Sequence, residues 1–247
     1  MKMIASIASL GLILLALPSA SRAQTPPAPP KVYTGNFGAG FSLTGGNTDT
    51  VNFNLSGELT RDPKKKNVIK INGLYLRADA NKVKTSDRLS LGFKDEYSLS
   101  KRAFAYGAAG YMRDPFKDIS YLLSPQGGFG YKPIAGTQAE LALNGGVGAV
   151  WEKDSGAGVQ TSGTLNAGEN FTYKLSETAK VIQGFAGLWK TSNFNDALYH
   201  FNVALSTSIA KRAELKVEFI DDFKNVTPNP TIKKNDTAFL VSFLYKF

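Results

Sequence analysis

The chain has no cysteine in its 247 residues. That excludes a disulfide framework, and it also excludes lipid attachment at a mature N-terminal cysteine. A single histidine, His200, leaves little material for imidazole-based catalysis or metal binding. Beyond residue 17 there is no long apolar run, so a helix-spanning membrane protein is excluded as well. Zinc-ligand spacings, RNA-binding motifs and phosphate-cradling glycine loops are all missing. Without them the basic balance of +9 does not point to nucleic acid, and no cofactor is expected.

The two ends are more informative. Met1-Lys2 followed by the apolar run Ile4 to Leu17 and by Ser21-Arg22-Ala23 reads as a secretory signal peptide over residues 1–23, cleaved after Ala23. Cleavage removes Lys2 and Arg22 and no acid, leaving a formal charge of +7. Residues 24–34, with Pro26, Pro27, Pro29 and Pro30, read as an extended tether without a core. At the far end Thr237, Phe239, Val241, Phe243, Tyr245 and Phe247 alternate with Ala238, Leu240, Ser242, Leu244 and Lys246. Period two makes this a strand with one continuous apolar face. Such an edge at the end of a soluble chain would template aggregation. Outer-membrane barrels often end in this way, which makes Phe243, Tyr245 and Phe247 a candidate signal for the barrel-assembly machinery.

Between these ends, residues 35–247 break into about twelve alternating segments. Their lengths suit the ~9–11 residues of a tilted strand that crosses a bilayer. In the second, Val51, Phe53, Leu55, Gly57 and Leu59 oppose Asn52, Asn54, Ser56 and Glu58. Aromatics gather at segment ends, as with Tyr97, Tyr131, Trp151, Tyr173, Trp189 and Tyr245. Connections alternate between tight turns such as 99–102 and 174–177 and longer, Asp-rich stretches such as 79–87, 152–160 and 224–236. This favours an all-β, antiparallel up-and-down transmembrane barrel over a soluble sandwich or a lipocalin-like barrel.

If odd positions face lipid, the lumen-lining candidates are Glu58, Lys70, Arg88, Lys94, Glu96, Arg113, Glu140, Lys190, Lys216 and Glu218. Six cations against four glutamates would tilt a pore slightly towards anions. Paired across strands, the same charges would only brace the wall. Asp95 and Glu169 break the lipid-facing parity and call for a β-bulge, a headgroup-level position or a protomer contact. His200 sits at inward parity, which denies it to a lipase acting on bilayer lipid, so the chain is not expected to be an enzyme. Asp-rich loops are candidate contacts for cations that bridge lipopolysaccharide, and the basic turns are candidates for anionic headgroups.

The residues also carry a resemblance. Ser42-Leu43-Thr44-Gly45-Gly46-Asn47-Thr48-Asp49 and the block Tyr97 to Gly107, continued by Tyr111, Asp114, Phe116, Asp118, Tyr121 and Gly128-Phe129-Gly130-Tyr131, resemble the YdiY-like salt-induced outer-membrane proteins. That resemblance implies an outer-membrane barrel of unestablished role, linked to salt or osmotic conditions, with no catalytic residues to transfer. Its expected role is a narrow pore for small ions or solutes, or a structural envelope protein. The rival is a surface receptor or adhesin that works through its loops.

Overall fold

A computed structural model describes residues 31–45, 50–80, 83–227 and 230–247. The residues read as a signal peptide, most of those read as a tether and the Gly46–Asp49 part of the resembling motif lie outside the described residues. Twelve strands run β1 Tyr33–Gly45, β2 Thr50–Arg61, β3 Asn67–Ala80, β4 Val83–Ser98, β5 Ala103–Asp114 and β6 Ile119–Ala135. They continue as β7 Ala139–Asp154, β8 Val159–Lys174, β9 Ala179–Lys190, β10 Asn193–Ala210, β11 Ala213–Lys224 and β12 Asn235–Lys246. Each pairs antiparallel with its neighbour in sequence, and β1 pairs with β12 from Asn36↔Lys246 to Gly45↔Thr237, closing the ring. β1 starts two residues inside the range read as tether.

Closure leaves no free sheet edge, so backbone donors and acceptors are satisfied around the ring. The alternation read from the sequence then decides which side chains face in. Phe37, Phe41, Phe53, Ile71, Phe129, Val147, Leu205 and Phe243 are exposed on the outside. Leu76, Ile220, Ala238 and Leu240 pack together on the inside with Leu74, and Ile119, Leu122 and Val150 form a second inner cluster with Met112 and Leu198. Exposed aromatics ring the end that carries the termini (Tyr33, Tyr97, Tyr131, Tyr173 and Tyr245), and Trp151 and Phe194 stand out near the other, the loop end.

The connections differ from the expectation. The segments read as long Asp-rich loops are largely strand: only residues 81–82 separate β3 from β4, and only residues 155–158 separate β7 from β8. Among the described strands the one long connection is residues 225–234. Polar strand ends continue past the apolar band, because sheet pairing needs backbone hydrogen bonds rather than apolar side chains.

Candidate functional site: the barrel lumen

The register places the charged side chains. Glu58, Lys70, Arg88, Lys94, Glu96, Glu140, Lys190, Lys216 and Glu218 stand on the inward parity of their strands. Arg113 does not. It lies opposite Leu89, whose side chain points outwards, and its guanidinium meets Asp87 at 3.3 Å near the loop end. Its odd number gives the reason: on β5 it shares a face with Tyr111 and Ala109.

The inward charges form two groups. At the terminal end Lys70 and Lys94 both reach Glu96 at 3.0 Å, and Lys132 reaches Glu140 at 3.1 Å. The Lys94 ammonium also lies 4.8 Å above the Tyr106 ring and 5.3 Å above Phe104, a cation–π arrangement. Lys216 bridges Glu218 at 3.0 Å and Glu58 at 3.6 Å.

At the loop end the pairs cross the interior. Glu152 on β7 receives Lys190 from β9 and Lys224 from β11, each at 2.5 Å, and Lys190 also reaches Asp196 at 2.6 Å. Arg88 on β4 pairs with Asp222 on β11, nearly across the ring. His200 turns Nδ1 to the same carboxylate at 2.8 Å. Glu152 was missed as a lining residue because it stands in a stretch that reads as loop, and Asp196 and Asp222 because they stand at the loop-end margins of their segments. The signal was their even numbering in register with Lys190 and His200.

Below this layer lies a cavity of about 670 Å³. Its wall includes Asn72, Gln126, Asn144, Asn166, Asn170 and Asn202, with Leu122, Ile182 and Leu198 as an apolar part. Four cations (Arg88, Lys117, Lys216 and Lys224) and four carboxylates (Glu58, Asp114, Glu218 and Asp222) line it. The anion-leaning excess expected from the sequence is therefore not present in this chamber: Arg113 leaves the inward set, and Lys117 and Lys224 join it together with Asp114 and Asp222. Of the other expected lining residues, Lys70, Lys94, Glu96 and Glu140 lie towards the terminal mouth and Lys190 lies in the loop-end layer.

The outward acids are not at bulges. Asp95 is in unbroken register with Ile69 and Gly107, and accepts from Asn67 Nδ2 at 3.3 Å near the terminal-end girdle. Glu169 is in register with Leu143 and Phe185, and accepts from Gln183, also outward. Asp221, opposite Phe201 and Thr237, is a third such acid. Among the described residues no group of three or more His, Cys, Asp or Glu is placed to hold a metal ion.

A family model described as "Protein of unknown function, DUF481" matches residues 37–247. The chain belongs to this family. Its fold resembles that of the NanC porin (8% identity, TM-score 0.58, covering 86% of this chain and 100% of that one). It also resembles the COG4313 outer membrane channel from Pseudomonas putida F1 (11% identity, TM-score 0.51, 87% and 94% covered) and the KdgM porin (11%, 0.50, 86% and 99%). At these identities the likeness is one of fold. No curated protein matches this DUF481 member in sequence.

Proposed function

We propose that this DUF481 protein is an outer-membrane barrel whose narrow lumen passes small ions or polar solutes. The observation that carries the reading is a charge-balanced chamber of about 670 Å³, lined by charged, amide and apolar side chains, inside a barrel whose outside is apolar. An apolar exterior on a closed barrel is stable only in lipid, and lumen side chains then set what passes. Single-channel recording of the refolded mature protein, residues 24–247, in a salt gradient tests it. Small discrete steps with weak ion preference are expected, because the cations and carboxylates of the chamber balance. Silence from a folded barrel would overturn the pore and leave a structural envelope role.

The link to salt or osmotic stress rests on the YdiY-like resemblance. It is checked by protein abundance and by growth of a deletion strain across a salt series. Contact with lipopolysaccharide at the loop end, and recognition of Phe243, Tyr245 and Phe247 by the assembly machinery, complete the reading. The three aromatics lie exposed on or just beyond β12, where a recognising surface has access. Residues 225–234, the long connection, are where a receptor role would reside. Trimming them should leave conductance intact and would abolish surface binding if that rival role were correct.

A further inference from the structure

The connection between β5 and β6 turns into the barrel. Asp114 caps it: its Oδ1 accepts from the Phe116 and Lys117 N–H groups at 3.1 and 3.3 Å, and Pro115 starts a single 3₁₀ turn, Pro115–Lys117. Asp118 closes the turn in the left-handed region (φ 62°), its N–H donating to Pro115 O at 3.2 Å. The carbonyl of Asp118 accepts from Ser155 N at 3.2 Å, fastening the turn to the next connection. Each of these bonds directs Lys117 inwards.

Lys117 is 4% exposed. Its ammonium donates to the Asp222 carbonyl on β11 at 2.8 Å and stands 3.6 Å from the Asp236 carboxylate on β12. In the ring β5 and β6 lie half a turn from β11 and β12. The inward turn and the Lys117 stem together therefore reach across the lumen, above the chamber that Lys117 helps to line. A lysine held at both ends inside a barrel occupies cross-section and places a fixed positive charge there.

We infer that Lys117 is the constriction residue of the lumen, limiting conductance by its stem and setting ion preference by its ammonium. The inference deepens the pore reading and rests on it. Lys117→Ala should raise unitary conductance about twofold or more and move the reversal potential towards cations, because a fixed positive charge leaves the path. The cysteine-free chain allows a second test. Lys117→Cys should behave like Lys117→Ala until treated with a methanethiosulfonate reagent that attaches an ethylammonium through a mixed disulfide, its sulfinate leaving group departing. That treatment should return conductance and selectivity towards the parent values, whereas the ethylsulfonate reagent should push selectivity further towards cations.

If the parent protein conducts and both variants, treated or not, match it, the constriction assignment is wrong and the pore reading stands. If a silent parent begins to conduct as Lys117→Ala, the constriction assignment stands, with Lys117 closing the lumen outright, and the pore reading of the parent falls. Silence of the parent and of both variants, with folding verified by heat-modifiable migration, overturns both.

Discussion

Glu152 on β7 and Lys224 on β11 meet at 2.5 Å, four strands apart around the ring, with both side chains almost entirely withdrawn from solvent. A charge pair so placed is costly to form and far more costly to break from one side. Glu152→Gln should therefore destabilise the barrel by about 3–5 kcal/mol, since Lys190 and Lys224 lose their shared carboxylate. Adding Lys224→Met should recover part of that loss. Urea unfolding in liposomes measures both, and a loss within error of zero for the single variant would show that water replaces the pair.

Val147 lies midway along β7, opposite Gly127 and Leu165, and is 64% exposed on the outer face. An arginine there would stand near the centre of the apolar band. Val147→Arg should cost about 2–4 kcal/mol in a bilayer, and Val147→Leu close to nothing. Equal stability of the two variants in lipid would contradict membrane burial of this face.

Register separates two arginines that look alike in sequence. Arg88 points into the chamber and pairs with Asp222; Arg113 points outwards and pairs with Asp87. Lys216 also lines the chamber, and it offers a gentler inward substitution than Arg88. Lys216→Gln should shift the reversal potential towards cations, while Arg113→Gln leaves it where it was. A shift in the second variant would mean that the β5 register is offset by one residue.

Gly130 faces the Phe104 ring so closely that an added Cβ would lie 2.0 Å from Cζ. Phe104 is buried, and Lys94 sits over it. Gly130→Ala should displace the ring and cost about 1–3 kcal/mol, read from the unfolding midpoint. No change would place the ring elsewhere in solution.

Most of the fold was legible because period-two alternation is a strong signal when one face must be apolar over many strands. Phe53 and Leu55, or Phe239 and Phe243, announce their face by their neighbours. The loop end was harder. There Asp79, Asp87 and Glu152 stand in strand positions beyond the apolar band, and polarity alone reads them as loop. Bulges near Ile119–Tyr121 and Tyr131–Ile134 shift the parity of β6 without any mark in its composition. The partners of the inward charges lie on distant strands, so Arg88 and Asp222, or Lys117 and Asp236, could be paired only once the ring had closed.

The bracing has a mechanical side. At the terminal mouth most ion pairs join adjacent strands or lie within one, as with Lys70 and Glu96 or Lys132 and Glu140. At the loop end Lys117 and Arg88 act as struts across the diameter. A hoop strutted across its width resists flattening, whereas an unstrutted one yields sideways. Lateral pressure on this barrel should therefore deform the terminal mouth first, and the loop-end opening keeps its outline until the struts release.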